Sequence, residues 1–350
     1  MIKNKTVLVA FSFGRNERFG YSGIDRYSEM LHKGLTSIGY AHDTYAYGEH
    51  KSSIPYASIA LRFFTTSKAV KGHRIIHLTQ PHGYEAFLWN KARRVLTWHD
   101  NLIFTRKSKV QLFNWIRGFT VYATADVIVF NSSQSYNELK EFMTARKNWN
   151  IYKTYCIAPL PIDDIWIKEP IGKNIKREGF IYIGAIDYPH KNFKGLIDCY
   201  NSICDSIPKP QKPPLHIFTS SPNAREIVDD AETETHPHHY PIILHERADD
   251  KEILKQLKKS VALLHLSLEE GYGFPIMESL AVGTPVITLS SAKIPEEVAE
   301  WTIRTGEPDR EAIKLYNKPK TASAEAIRYA KSLNKENYAK EIVKIYEAME

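Results

Sequence analysis

The sequence predicts an α/β protein of two doubly wound domains, and three observations carry that expectation. Short apolar, β-branched runs alternate with amphipathic helical stretches, the pattern of parallel sheets covered on both faces. That pattern restarts after Pro170, behind the proline-punctuated segment 158–170 (APLPIDDIWIKEP), which reads as a linker. The chain has 350 residues and 43% hydrophobic content, enough for two cores of ordinary size.

In the first half the apolar runs place strands at 7–13, 75–78, 94–98 and 127–130. The spacing of Ile24, Tyr27, Met30 or Leu31, and Leu35 predicts a helix over 23–38, and Ser132 begins another running toward Met143. In the second half strands are expected at 180–184, 215–219, 242–244, 261–266 and 286–289. The tail 321–350 is helical in composition and lacks a further strand, so it is free to pack across the pair. The expected division is an N-terminal domain over 1–168, a C-terminal domain over 169–333, and a final helix over 334–350 packing back on the first domain.

No stretch approaches the roughly 18 apolar residues that a spanning helix requires. The opening MIKNKTVLVAF reads as a strand, because Gly14, Arg15 and Asn16 follow it without a small-residue cleavage site. Cys156, Cys199 and Cys204 have neither disulfide-framework nor zinc spacing, which fits a reducing cytoplasm. The net charge of +7 is uneven: residues 1–168 hold 23 Lys+Arg against 12 Asp+Glu, an excess of +11, whereas the remainder sums to −4. No RNA-binding signature or zinc-finger spacing accompanies this excess, so nucleic acid is not an expected partner. Arginines and aromatics intermix over 93–119, which suits an anionic lipid surface or acidic glycan, and equally an ordinary solvated basic face.

The most informative segment is 264–290, LHLSLEEGYGFPIMESLAVGTPVITLS, which runs from a buried strand through a glycine loop into a helix starting near Pro275. Gly271 and Gly273 let backbone amides approach a ligand and deliver it to a helix N-terminus, where unsatisfied amides and the helix dipole favour a diphosphate. Glu270 and Glu278 flank the loop as hydrogen-bond acceptors. Glu278, one turn into the helix, is placed for ribose hydroxyls and Glu270 for a sugar ring.

This segment resembles glycosyltransferase family four, whose C-terminal domain carries a glutamate, a glycine-aromatic-glycine loop and a second glutamate eight residues on. Glu270, Gly271, Tyr272, Gly273, Phe274, Pro275 and Glu278 match, and Ala281, Gly283, Thr284, Pro285, Val286 and Ile287 continue the likeness. Upstream, residues 180–203 (FIYIGAIDYPHKNFKGLIDCYNSI) are similar to the family's first donor-domain strand and helix, with Lys191 at its phosphate-binding lysine. Many relatives carry an arginine directly after the strand's glycine. Here that position is Ala185 and the loop is one residue longer, so the second cation is not assigned, with His190 a partial substitute. In the first half, YSGIDRYSEMLHKGL resembles the family's glycine turn, putting Gly23 near diphosphate or acceptor. LTWHDNLIF resembles its histidine-aspartate segment, so His99 would face the transferred sugar. The SSAKIPEE stretch suggests phosphate contact at Ser290 and Ser291.

The resemblance implies the GT-B architecture: two doubly wound Rossmann-like domains facing across a cleft, with the C-terminal helix packing across the pair. It implies transfer of a mannose- or glucose-type hexose from a GDP- or UDP-sugar to a glycan or lipid-linked glycan, with retention of configuration. His99, Lys191 and Glu270 are the expected catalytic residues. Gly23, His190, Gly271, Tyr272, Gly273, Phe274, Glu278 and Ser291 are expected to bind the donor. No metal or other cofactor is expected, since no DxD-type carboxylate pair stands in a suitable place and the HPHHY stretch at 236–240 reads as an exposed loop. The implied location is cytoplasmic, with peripheral association to a membrane face. A nucleotide-sugar epimerase or hydrolase would share the donor-domain physics. A polyanion-binding module would explain the basic half but leave the glutamate-glycine block without a purpose. A nicotinamide dehydrogenase is disfavoured because FGRNERFGYSG lacks the dinucleotide fingerprint.

Overall fold

The structure is a computed structural model, and it describes residues 7–11, 23–46, 64–88, 91–105, 111–146, 154–171, 176–208, 212–235 and 240–350. These form two compact units. The first holds Val7–Phe11, the described residues of Tyr21–Pro161, and Lys335–Glu350; the second holds those of Ile162–Asn334. The sequence reading set the division after residue 168. Trp166, however, is fully buried, and the short helix Asp164–Ile167 packs on helices Phe274–Ala281, Ala324–Ser332 and Asp250–Lys259 of the second unit.

The first unit is a six-stranded sheet, every pair parallel, built from β1 (Val7–Phe11), β2 (His42–Ala46), β3 (Ile75–Leu78), β4 (Arg93–Trp98), β5 (Val127–Phe130) and β6 (Thr154–Ile157) in the order β2-β1-β3-β4-β5-β6. The central strands β3 and β5 are buried at every position, as expected of parallel strands covered on both faces. Positions 12 and 13 of the expected first strand lie outside the described residues. Helix Gly23–Ser37 buries Tyr27, Met30, Leu31 and Leu35 on one face. Helix Ser133–Thr144 is capped by Ser132, whose Oγ accepts from the Ser135 amide at 3.1 Å. The final helix, Lys335–Ala348, lies on helix Gly23–Ser37. The approach is so close at Gly34 that an added Cβ would stand 2.4 Å from the Lys335 carbonyl oxygen.

The second unit is also a six-stranded parallel sheet: β7 (Phe180–Ile183), β8 (Leu215–Thr219), β9 (Ile242–Glu246), β10 (Ala262–His265), β11 (Val286–Leu289) and β12 (Ile303–Thr305), ordered β9-β8-β7-β10-β11-β12. Its core gathers Phe180, Leu196, Tyr200, Ile217 and Leu264, and includes the free thiols Cys199 and Cys204. Both units are Rossmann-like. In each, strand order reverses direction at one place, between β1 and β3 in the first sheet and between β7 and β10 in the second. Crevices outside the carboxyl ends of strands at such a point are where doubly wound sheets bind ligands. Among the described residues no helix is long and apolar enough to cross a membrane.

Candidate active site

The loops leaving β7 and β10 meet at the switch point of the second sheet, and hydrogen bonds knit them together. The Leu268 amide donates to the His190 carbonyl (2.8 Å), and Asn192 Nδ2 donates to the Leu266 carbonyl (3.0 Å). Asn192 does this from a left-handed backbone (φ 54°), a conformation asparagine tolerates better than most residues, directly before helix Phe193–Ser206. The turn after β11 joins the same assembly. The Lys293 amide donates to the Leu268 carbonyl (2.8 Å) and the Glu270 amide to the Lys293 carbonyl (2.9 Å). Three strand ends thus present one surface.

At its centre the Lys191 ammonium bonds both oxygens of Glu270, at 2.7 Å to Oε1 and 2.9 Å to Oε2. His265, the last residue of β10, donates from Nε2 to Glu270 Oε1 at 2.8 Å. Glu270 is 8% exposed and His265 2%. Burial alone would raise the Glu270 carboxyl, but His265 and Lys191 together outweigh it and hold the group well below the usual carboxylate range. Neighbouring Tyr182 is pushed far up by burial and then by the charges of Glu270 and Asp187. Exposed His190 is held below the ordinary histidine value by partial burial and then by Lys191, so it is neutral at pH 7.

Beyond Glu270, exposed Gly271 and buried Tyr272 lead to Gly273, which starts helix Phe274–Ala281 with φ 94°. A side chain there would be strained and would meet Ile276 Cδ1 at 3.0 Å. Pro275 stands in the first turn, where its missing N–H is no loss. Its N-cap, Gly273, has no side chain to cap the helix start, an arrangement that suits an anion at the N-terminus. Glu278 is 2% exposed on the same helix. Ser291 is exposed in the turn after β11, on the segment tied to Glu270. The structure therefore brings Lys191, His190, Glu270, Gly271, Tyr272, Gly273, Phe274, Glu278 and the Ser291 turn onto one end of one sheet.

Residues 164–344 match the family described as "Glycosyl transferases group 1", more than half of the chain. The chain belongs to this family. The fold comparisons agree. A sucrose-phosphate synthase from Thermosynechococcus elongatus superposes with a TM-score of 0.70 at 14% identity, covering 99% of this chain and 99% of that one. AviGT4, a glycosyltransferase involved in avilamycin A biosynthesis, gives 0.60 at 14%, covering 99% and 98%. A trehalose-6-phosphate protein from E. coli bound with UDP-2-fluoro glucose gives 0.67 at 9%, covering 98% and 99%. These likenesses establish the GT-B fold class. No curated protein sequence matches the chain.

The glycosyltransferase carries its other expected residues in the first unit. His99 follows β4 and is 8% exposed; its Nε2 donates to the Thr79 carbonyl beyond β3 (2.9 Å). Its ring stands edge-on to Tyr27, with centroids 4.9 Å apart. Burial, partly opposed by the Thr79 bond, lowers His99 to about 4, so it is a neutral imidazole with its proton on Nε2. Asn131 Nδ2 holds the His99 carbonyl at 3.1 Å. Gly23 opens helix Gly23–Ser37 and is exposed. The stretch 236–239 lies outside the described residues. Among the described residues no group of three or more His, Cys, Asp or Glu is placed to hold a metal ion. Sequence reasoning passed over His265 because it ends an otherwise apolar strand, and over Asn192 because its tie to Leu266 spans 74 positions.

Proposed function

We propose that the protein is a retaining hexosyltransferase of family four that uses a UDP- or GDP-sugar and a glycan or lipid-linked glycan acceptor. The Lys191–Glu270 pair at the β7/β10 switch point, beside a glycine-led helix N-terminus, carries this reading. The donor's diphosphate would lie against Lys191, the amides around Gly273 and the helix start, which together favour the charge that develops on it. Glu278 would accept from ribose hydroxyls, and Glu270 would hold the sugar. His99, as a neutral imidazole, would offer the sugar an acceptor in place of a charge. The bond from the sugar C1 to the diphosphate oxygen breaks while a bond from C1 to the acceptor oxygen forms on the same face. The acceptor's proton leaves on a departing phosphate oxygen, so no protein nucleophile and no metal is needed. UDP-sugars are the first donors to try, because two proteins of this fold are described with UDP or a UDP-sugar bound, the E. coli protein above and the pneumococcal O-GlcNAc transferase GtfA.

The basic first half and helix Gln111–Thr124, with Leu112, Phe113 and Ile116 exposed, support peripheral docking on an anionic membrane face where a lipid-linked acceptor would be found.

Thermal unfolding with UDP-, GDP- and ADP-sugars tests the donor reading. One nucleotide should stabilise by roughly 2.7 kcal/mol at 100 times its dissociation constant, and Glu278→Ala should shrink that shift. No shift with any donor overturns it. With acceptor present, EDTA should leave turnover intact; loss on chelation with rescue by manganese or magnesium overturns the metal-free mechanism. Donor consumption that ignores the acceptor would mark a hydrolase or epimerase.

A further inference from the structure

We propose that His265 is a positioning residue that keeps the Glu270 carboxylate in place when Lys191 turns from it to the diphosphate of the donor. The inference rests on the donor reading of Lys191 and Glu270 given above. Glu270 Oε1 accepts from both cation and imidazole, at 2.7 Å and 2.8 Å, so the carboxylate has two independent supports. One is a flexible side chain, with 20% of its surface exposed; the other is a ring at the end of a buried strand. As the sugar leaves, charge builds on the phosphate, and the ammonium is drawn toward it most strongly in the transition state. A buried carboxylate that loses its counterion is strongly destabilised unless another donor stays with it. His265 is the donor that stays.

The rest of the ring fits this role. Among the described residues its Nδ1 is buried with no hydrogen-bond partner. In the neutral form the single proton then sits on Nε2, pointing at Glu270, and no other described contact competes for the ring. Leu263, Leu264 and Leu266 around it are fully or almost fully buried, an apolar setting in which an unpartnered ring nitrogen is unfavourable. A packing residue here would be aliphatic. Among the described residues, Tyr182, neutral far above pH 7, and His190, neutral at pH 7, also interact with Glu270, and neither is a replacement cation. Lys293, whose carbonyl accepts from the Glu270 amide, keeps its side chain exposed.

Two substitutions separate positioning from packing. Gln places an amide nitrogen at the same number of bonds from Cβ as His Nε2, whereas Asn falls one bond short. His265→Asn should lower kcat by about 10- to 100-fold, the worth of one hydrogen bond to a charged group, with donor KM moving less than about threefold. It should also carry the acid limb of the kcat profile upward, because burial then dominates Glu270. His265→Gln should restore both kcat and the wild-type profile. A His265→Asn enzyme with wild-type kcat overturns the proposal, as does a folded His265→Gln enzyme as impaired as Asn. If Asn fails to fold, the Gln variant's rate and profile decide alone. Glu270→Gln separates the parent reading: wild-type activity there removes Glu270 from the site, whereas a dead Glu270→Gln beside an unimpaired His265→Asn overturns only the role of His265.

Discussion

The two sheets solve the burial of polar groups in opposite ways. At the ends of β7 and β10 the second unit buries charge, a carboxylate between an ammonium and an imidazole. Between its sheet and helices the first unit buries a neutral chain. His77 bonds the Tyr346 hydroxyl through Nδ1 (2.6 Å) and Thr97 Oγ1 through Nε2 (2.8 Å); Tyr27 then links Thr97 (2.8 Å) to Tyr338 (2.9 Å). Tyr338 and Tyr346 come from the final helix, so this chain fastens that helix to β3, β4 and helix Gly23–Ser37. Burial drives every member toward its uncharged form, with His77 down to about 3 and Tyr27 up to about 12. The difference is functional. Fixed neutral networks specify packing, whereas a charge held by an exchangeable partner is available for catalysis.

Acid should break this contrast from one side first, and that is the largest expected effect. His77 and His99 are neutral in the folded state, and their values are lowered by burial to about 3 and about 4. The unfolded chain binds more protons below its ordinary histidine value, so their stability is fully present above about pH 6.5 and is lost as pH falls. Each can remove about 1.4 kcal/mol per pH unit in that window. Glu270, held below the usual range, titrates only at lower pH, so its ion cluster outlasts the neutral chain. His216, lowered to about 4 by burial and then by His245, adds a smaller share because it is only partly buried. Urea unfolding at pH 7 and pH 5 should show a loss of a few kcal/mol that His77→Gln reduces. A pH-independent midpoint would mean that the buried rings are solvated.

The legibility of each unit follows the same physics. Central strands such as β3, β5, β7 and β10 announce themselves as apolar runs because both faces are covered. The strands absent from the sequence reading, β2 (HDTYA), β6 (TYCI) and β12 (IRT), are all sheet edges, half solvated and without an apolar run. The expected first-unit helices over 23–38 and from Ser132 appear as Gly23–Ser37 and Ser133–Thr144, since caps and spacing are local signals. The loop from Glu270 to Glu278 was equally local. Lys191 meeting Glu270 joins positions 79 apart, and His77 meeting Tyr346 joins positions 269 apart, separations that no spacing rule reaches.

Removing the exchangeable charge sharpens the comparison from the other side. Lys191→Ala should cut kcat by about 100-fold or more, on the scale of losing one preorganised stabiliser of developing charge. Stability at pH 7 should change less, since the pair is partly solvated and Glu270 keeps His265. Steady-state kinetics beside a melting curve distinguish the two. A rate within about twofold of wild type would place the phosphate cation elsewhere.

The smallest effect concerns the surfaces, where the units differ in sign: +11 over residues 1–168 against −4 over the remainder. Helix Gln111–Thr124 exposes Leu112 (75%) and Ile116 (52%) one turn apart, beside Phe113 under the Arg117 guanidinium at 4.9 Å. Apolar side chains that project from a basic surface suit the boundary of an anionic bilayer, where each cation near the surface contributes about 1 kcal/mol. Arg106, Lys107 and Lys109, which directly precede this helix in sequence, lie outside the described residues. Sedimentation with phosphatidylglycerol-containing vesicles should therefore retain the wild-type protein and weaken with salt, because the attraction is screened over roughly 8 to 10 Å at 0.1 to 0.15 M. Replacing those three cations by glutamate should release the protein from vesicles, and Leu112→Ser with Ile116→Ser should do so even at low salt. Donor-induced thermal shifts should survive both changes, since neither substitution touches Lys191, Glu270, Gly273 or Glu278 of the second unit. Equal sedimentation by all three proteins, or none by any, would leave a freely diffusing acceptor as the substrate and the positive surface as ordinary solvated charge.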